Sequence, residues 1–223
     1  MSRKFFPGCK VKARYPEASE WLAEQVIGRG YADEIVGCCR TDHQSLTADD
    51  TAVCICNNCM AMIDEDAENG DLENIWVLVD NDPGFPLPSY EGKTMGVQDC
   101  GRAYDRIEVQ DAVRSLMRKM GIEVVELPDS REESRFCGQS FLRAAPEQDA
   151  SFAPKRYVED AAERGIFTPL DPDAMQARLD KHAAAIPTDE VCCYCFACDM
   201  GLEAGGKDAI NMIELVSGKF RKE

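Results

Sequence analysis

The chemistry available to this chain of 223 residues lies mainly in its 12 cysteines. Thiolates are soft ligands that bind zinc and the iron of iron–sulfur clusters. The cysteines form two sets of six, separated by a proline- and glycine-rich segment at residues 81–92. The first set is Cys9, Cys38, Cys39, Cys54, Cys56 and Cys59, and the second set is Cys100, Cys137, Cys192, Cys193, Cys195 and Cys198. This grouping predicts one polythiolate site in each half.

Zinc and disulfides are the alternatives to iron–sulfur ligation. We expect a cytoplasmic protein, because Pro7 and Gly8 interrupt the start of the chain before an apolar signal-peptide core could form. The cytosol keeps thiols reduced, which disfavours disulfides. Zinc ribbons pair two CxxC turns, whereas each half has one CxxC and six thiols, more than the four that tetrahedral zinc takes. The count and spacing favour iron–sulfur clusters.

The composition excludes several other classes of function. The net charge of −16 and the isoelectric point near 4.6 oppose binding to nucleic acid or to an anionic membrane. The most apolar stretches, residues 35–39 and 75–79, are far shorter than the roughly 20 residues of a membrane span. Neither a Rossmann glycine fingerprint nor a P-loop is visible, so no NAD, flavin or ATP site is expected. Electrons would then come from a separate subunit.

The two halves repeat one another. Both cysteine sets close with C-x-C-x-x-C, from Cys54 to Cys59 and from Cys193 to Cys198. Upstream, each half has a β-like run leading to a lone cysteine, then a helix, a second β-like run and a cysteine beside glycine. The predicted fold class is α/β, with two duplicated β-α-β half-domains, parallel sheets, and clusters at the strand ends. The halves are residues 1–80 and 93–223, and the second carries a helical insertion at 139–190.

Hydrophobic periodicity and turn signals locate the individual elements. Strands are predicted at residues 5–9, 34–36, 75–79, 94–100 and 123–127. Helices are predicted at residues 16–28, 109–120 and 207–217. A further helix should be capped by Asp171, start at Pro172 and face the core with Met175, Leu179, Ala183 and Ile186.

The cysteine pattern resembles the cysteine-rich CCG-domain family, which includes the B subunit of heterodisulfide reductase and related subunits of lactate, glycolate and glycerol-phosphate oxidising complexes. Members carry two copies of a lone cysteine, a CC pair and a CxxC, and both copies occur in order over nearly the whole chain. In that family the pattern binds non-cubane [4Fe-4S] clusters, in which five cysteines hold two fused iron–sulfur rhombs and one iron takes up substrate sulfur. The resemblance implies that the first cluster is non-cubane and is held by Cys9, Cys38, Cys39, Cys56 and Cys59.

The second copy departs from the family pattern, because Phe136 stands where the first cysteine of the pair should be. The ligands implied there are Cys100, Cys137, Cys195 and Cys198. Four thiolates suit a cubane [4Fe-4S] cluster. Alternatively, Cys193 supplies a fifth ligand. The roles of Cys54 and Cys192 are left open.

The resemblance implies a redox protein that passes electrons from a flavin- or ferredoxin-type subunit to a disulfide or another small oxidised substrate. Two alternatives stay open: a pure electron-transfer module without a substrate site, and a zinc-stabilised binding module. Substrate-dependent turnover separates the first alternative from the reductase, and the metal content identifies the second.

A few other residues near the cysteines are candidates for supporting roles. His43 would be the catalytic candidate, protonating a leaving thiolate, although a surface-loop histidine is the simpler interpretation. Asn57 and Asn58 lie inside the first CxxC, where their amides either hydrogen-bond cluster sulfur or only tolerate the turn. His182, on or beside the apolar stripe of its helix, is expected to be a helix-packing residue. The basic residues close to the first cysteines, which would offset cluster charge or bind a carboxylate, are Lys10, Lys12, Arg14 and Arg40.

Overall fold

The computed structural model describes residues 2–68, 70–143 and 151–221. They form an α/β protein with two four-stranded sheets. The chain divides into two compact units: the first runs up to Pro88 and also includes the chain from Ile213 onward, and the second is Ser89–Met212. The end of the chain, which the sequence assigned to the second half, is therefore part of the first unit.

The first sheet has the strand order β2-β1-β3-β4, and every pair is parallel. Its strands are β1 (Arg3–Phe6), β2 (Glu34–Ile35), β3 (Thr51–Cys54) and β4 (Asp71–Asn74). The helices of this part are α1 (Cys9–Arg14), α2 (Pro16–Gly28), α3 (Asn57–Asp66) and α4 (Ile75–Asp80). The predicted helix at residues 16–28 is confirmed, and Leu22 and Val26 bury its apolar face one turn apart.

The second sheet repeats this order as β6-β5-β7-β8, again with parallel pairs. Its strands are β5 (Thr94–Gln98), β6 (Glu123–Glu126), β7 (Glu190–Cys193) and β8 (Asp208–Asn211). The helices of this unit are α5 (Ile107–Lys119), α6 (Asp160–Glu163, following a π-helical turn at Lys155–Glu159), α7 (Pro172–Ala184) and α8 (Phe196–Ala204). The last helix, α9 (Met212–Ser217), follows β8 in the chain and belongs to the first unit from Ile213 onward. The matching strand orders confirm the duplicated β-α-β fold. Among the described residues, no helix combines the length and the apolar character needed to cross a bilayer.

The helix signals in the second half are also confirmed. Gly121, with φ of 79°, follows α5 and allows the chain to reverse into β6. The Asp171 carboxylate accepts a hydrogen bond from the Ala174 amide at 2.9 Å and caps α7. Leu179 and Ala183 are buried as predicted.

Two predicted elements are wrong. Residues 75–79 form helix α4 and not a strand, because the Asn74 side chain accepts a hydrogen bond from the Trp76 amide at 2.9 Å and caps a new helix. Residues 207–217 are not one helix but β8 followed by α9. The stretches Asp71–Asp80 and Asp208–Ser217 are thus the same strand–helix motif, present once in each repeat. A short apolar run has no periodicity that separates a strand from a buried helix.

Candidate metal centres

Four of the predicted ligands come together in the second unit. The sulfur atoms of Cys100, Cys137, Cys195 and Cys198 all lie within 4.8 Å of one another, and all four side chains are buried. The Sγ atoms of Cys100 and Cys137 are 3.6 Å apart. Within the described ranges, this quartet is the one group of metal-ligating side chains gathered so closely. Four buried thiols with this spacing can hold a metal ion or a metal cluster.

Parallel strands deliver the quartet to one edge of the sheet. Cys100 follows β5, Cys137 lies in the connection after β6, and Cys195 caps helix α8 directly after β7. Cys198 lies in the first turn of α8. Since the carboxyl ends of parallel strands meet at the same edge, residues distant in sequence converge there. The amide groups at the start of α8 also favour negative charge on the sulfurs.

A pair of glycines allows the Cys137 loop to approach α8. Gly138 has φ of 54°, and a Cβ atom there would lie 1.9 Å from the Ala197 carbonyl oxygen. A Cβ atom on Gly201 would lie 2.3 Å from the Gly138 Cα atom. At Gly138 only glycine fits both the positive φ and the close approach, and at Gly201 only glycine leaves room for the approach. The close contact brings Cys137 to the two cysteines of the helix.

The buried carboxylate of Asp99 joins the loops that carry the quartet. Asp99 is 1% exposed and directly precedes Cys100. Its oxygens accept hydrogen bonds from the Arg114 guanidinium at 2.6 and 3.0 Å. They also accept one from the Tyr194 hydroxyl at 2.8 Å and one from the Arg131 backbone amide at 2.7 Å. Tyr194 precedes Cys195, and Arg131 lies in the connection leading to Cys137, so one carboxylate fixes three ligand-bearing segments.

Arg164 of the insertion ties two of the same segments through their backbone. Its guanidinium donates to the carbonyl oxygen of Gly101 at 3.0 Å and to that of Ser134 at 2.7 Å. These carbonyls lie beside Cys100 and shortly before Cys137. The helical insertion therefore stabilises the second centre directly.

The pKa values of the quartet's thiols are shifted in opposite directions. Hydrogen bonds from Cys100, Cys195 and Cys198, together with the charge of Arg102, hold the pKa of Cys137 well below its usual value. The hydrogen bond to Cys137 raises the pKa of Cys100 well above its usual value, and burial does the same for Cys198. Cys137 is thus the thiolate that its neighbours stabilise. Metal binding at this site would release protons from the other thiols.

Arg102 supplies a buried positive charge beside the quartet. Burial lowers the pKa of its guanidinium, but the neighbouring residues, Cys137 first among them, together more than offset this effect, so that the pKa is raised overall. The guanidinium lies over the Tyr157 ring, with its carbon 4.2 Å from the ring centroid. It can offset the negative charge of bound thiolates. Arg102 could not be identified from the sequence, because one arginine two positions after a cysteine forms no pattern.

The five predicted ligands of the first unit form two linked groups. Cys9 hydrogen-bonds Cys38, and Cys39 lies close enough to raise the pKa of the Cys9 thiol in addition to the effects of burial and of Cys38. Cys59 hydrogen-bonds both Cys39 and Cys56. Cys9 begins helix α1, and Cys56 caps α3, with Cys59 in its first turn. Hydrogen bonds and charge thus connect all five thiols at the strand ends of the first sheet, although less compactly than the quartet.

Asn57 is an unusual neighbour of this first site. It lies inside the CxxC turn at the start of α3 and is 2% exposed. Neither polar atom of its side-chain amide has a hydrogen-bond partner among the residues that the structure describes. Leaving a buried amide unpaired is costly. Its position suits a donor to a group bound by the adjacent cysteines.

The remaining cysteines lie in strands. Cys54 and Cys193 are the last residues of β3 and β7 and are buried. The Cys193 thiol lies 3.9 Å from the Ile210 carbonyl oxygen and is outside the quartet, which assembles without it. The Cys192 Sγ atom is 3.8 Å from the sulfur of Met212, and burial raises the pKa of Cys192 to about 12. A thiol with so high a pKa is a poor metal ligand, because metals bind the thiolate.

His43 and the basic residues are placed differently from one another. The expectation of a surface-loop position for His43 is wrong, because the side chain is buried and its Nε2 atom lies 3.0 Å from an Asp66 carboxylate oxygen.

The basic residues near the first cysteines differ in their effect on the predicted ligands. Lys10 and Lys12 are exposed, whereas the charge of Arg40 contributes to a lowered pKa of Cys39, after the larger effect of the hydrogen bond from Cys59. Arg40 is thus the basic residue with a direct effect on a predicted ligand.

Comparison of the chain with protein-family models, curated proteins and solved structures gives no match. The resemblance to CCG-domain proteins accordingly rests on the cysteine pattern.

We predict that Gly138→Ala removes metal from the second unit, because the new Cβ atom would collide with the Ala197 carbonyl. Gly206→Ala is the matched control, since Gly206 also has positive φ, 79°, but has no atom within 4 Å of a Cβ position. The control should lose about 1 to 2 kcal/mol of stability from backbone strain alone and keep its metal. Metal analysis of the purified variants measures the effect, and equal metal content would show that the close approach is dispensable.

We also predict that Tyr194→Phe lowers the free energy of unfolding by about 2 kcal/mol, because it removes a hydrogen bond to a buried carboxylate. Tyr104→Phe is the control, since its hydroxyl lies 3.4 Å from Asp160 and is only partly buried. That substitution should change the free energy by less than about 0.5 kcal/mol. Denaturant titration under reducing conditions provides the comparison. Similar losses in both variants would argue against a central role for Asp99.

Proposed function

We propose that this chain is an iron–sulfur redox protein that resembles the B subunit of heterodisulfide reductase. The second unit would hold a [4Fe-4S] cluster through Cys100, Cys137, Cys195 and Cys198. The first would hold a non-cubane cluster through Cys9, Cys38, Cys39, Cys56 and Cys59. Electrons would come from a separate flavin- or ferredoxin-type subunit and pass to a disulfide or another small oxidised substrate.

The observation that carries the proposal is that four buried cysteines converge in the second unit while five linked cysteines lie at the equivalent place in the first. Thiolates are the usual ligands of iron–sulfur clusters, which supply one-electron transfer when bound. The surroundings suit a negatively charged group: Arg102 contributes a buried cation, and the start of α8 contributes amide groups. The cysteines are held by Asp99 and Arg164 through hydrogen bonds that do not involve their sulfur atoms. The protein thus positions the ligands and balances their charge.

Zinc is the second candidate for this site, and the spacing of the sulfurs favours it. Four thiolates at about 2.3 Å from a single tetrahedral ion lie about 3.8 Å apart, close to the 3.6 Å between Cys100 and Cys137. A four-iron cluster, in which each cysteine binds a different iron, needs the sulfurs to move outward. The number of thiols and their linkage in the first unit support the iron–sulfur proposal, because five linked cysteines exceed what one zinc ion takes.

The unequal sites support a division of roles between the halves. Cys38 and Phe136 precede Cys39 and Cys137, so the first site has a fifth thiol where the second has an aromatic ring. Asn57 adds a buried amide at the first site, and Phe196 occupies the corresponding place in the second CxxC. Amide donors to a cluster raise its reduction potential. The first site would therefore be the better electron acceptor and the place where substrate sulfur binds.

The first test is elemental analysis. Protein purified without exposure to oxygen should contain iron and acid-labile sulfide, with about eight irons per chain if both units bind four-iron clusters. It should be brown, because iron–sulfur clusters absorb visible light and zinc does not. Stoichiometric zinc with negligible sulfide would instead support the zinc-stabilised module.

The second test concerns the difference between the sites. We expect oxidised, thiol-treated protein to give a paramagnetic resonance signal from the first unit alone. Cys38→Ser removes a thiol that the second unit lacks, so it should abolish the signal, whereas Cys137→Ser should leave it intact. Loss of the signal in Cys137→Ser alone would reverse the assignment, and a protein that gives no signal with thiols would be better described as an electron-transfer module.

A further inference from the structure

A cavity of about 210 Å³ opens beside the quartet in the second unit. Cys137 and Gly138 form part of its wall, so it reaches a predicted metal ligand. Other parts of the wall come from the insertion, including α7, which has no counterpart in the first half. The first half has neither this helix nor the aromatic residue Phe136. The cavity is thus built partly from residues of the second half that have no equivalent in the first half.

The interior of the cavity is apolar and its rim is basic. Phe141, Ile166 and Leu179 line it and are buried. Arg135 and Arg178 also line it, but these two side chains are exposed. Neither guanidinium forms an ion pair with the described part of the chain. Among the described residues that line the cavity, Asp129 is the single carboxylate beside two arginines, whereas the whole chain has a net charge of −16.

His182 and Phe136 give the cavity a flat side. Their rings are stacked, with centroids 3.9 Å apart and an interplanar angle of 5°. The His182 Nε2 atom is 2.7 Å from the Gln98 side-chain oxygen, and the Gln98 side-chain nitrogen donates to the Asp99 carbonyl at 2.8 Å. This chain of hydrogen bonds fixes the imidazole ring. Burial lowers the pKa of His182, so the ring is neutral near pH 7 and the arginines provide the positive charge.

We propose that this cavity binds a small organic molecule with one carboxylate and an apolar body, with the carboxylate between Arg135 and Arg178 and the body against Phe141, Ile166 and Leu179. Guanidinium groups present paired donors that match a carboxylate. Drug-sized ligands occupy roughly 300 to 1,000 Å³, so a cavity of about 210 Å³ takes a smaller molecule. An inorganic anion would leave the apolar walls without contact.

The proposal deepens the proposed function and rests on it in one respect, that the quartet holds a redox centre. The ligand would then lie against Cys137, within reach of that centre. The two halves would then bind different small molecules: sulfur compounds at the first site and a carboxylic acid at the second. Binding itself depends only on the cavity and can be measured whichever metal the quartet holds.

Calorimetric titration of the full-length protein tests this inference, with 3-phenylpropionate as the probe. Its neutral amide, 3-phenylpropionamide, has the same shape without the charge, and inorganic phosphate has charge without the apolar body. We expect the carboxylate to bind with one site per chain, and the amide and phosphate to bind at least about tenfold more weakly. Thr168→Trp, which places a large side chain on the cavity wall, should abolish binding.

Arg178→Gln and Arg135→Gln should each weaken binding of the carboxylate about tenfold. Both residues are exposed, so the folded structure should tolerate the changes. Arg118→Gln is the matched control, because Arg118 is also exposed, belongs to α5 and does not line the cavity. Failure of the carboxylate to bind, equal binding of the amide, or the same loss in Arg118→Gln would each overturn the inference. Metal analysis of the same samples distinguishes failure of this inference from failure of the proposed function. A zinc protein that still binds the carboxylate would refute only the iron–sulfur centre.

Discussion

The second centre depends on one buried carboxylate. Asp99 could not be buried as an ion without partners, because desolvation of an unpaired charge costs more than a domain's usual margin of stability. Its partners are Arg114 from α5, Tyr194 beside Cys195 and the Arg131 amide before Cys137. Satisfying this single charge therefore requires the sheet, the helix and the ligand loops to take up their native arrangement together. The position of the four sulfurs is a consequence of that requirement.

In the first unit, the cysteine-bearing loops are positioned without a buried charge at the place that corresponds to Asp99. Gly8 occupies the position before Cys9 that Asp99 occupies before Cys100, and its φ of 69° is unfavourable for other residues. A Cβ atom at Gly8 would lie 3.1 Å from the Ile55 side chain, and Ile55 corresponds to Tyr194. Close apolar packing thus replaces the hydrogen bonds of the second unit. The duplicated fold keeps the strand ends in place while the interactions behind the cysteines have diverged.

Much of this arrangement could be predicted from the sequence because the cysteine spacing and the helical periodicity are local patterns. The repeated C-x-C-x-x-C and the stripe in α5 indicated the duplication and the parallel order. Strand β8 and helix α4 could not be predicted, since Asn74 and Asn211 end short strands that lead directly into helices within one apolar run. Arg102, Arg164 and the cavity arginines were also missed. Their roles depend on which loops the fold brings together, and single arginines at irregular spacing give no sign of this.

The division of the chain into units gives its folding an unusual order. The first unit includes residues from Ile213 onward, and Arg221 donates a hydrogen bond to the Tyr15 hydroxyl at 3.1 Å. Domains generally fold from the amino terminus as the ribosome releases them. Here the residues of the second unit have all been synthesised before the last part of the first unit exists. The cysteines up to Cys59 are made earliest, yet their unit is the last to gain all its contacts, so a nascent chain would expose those thiols to solvent for longest.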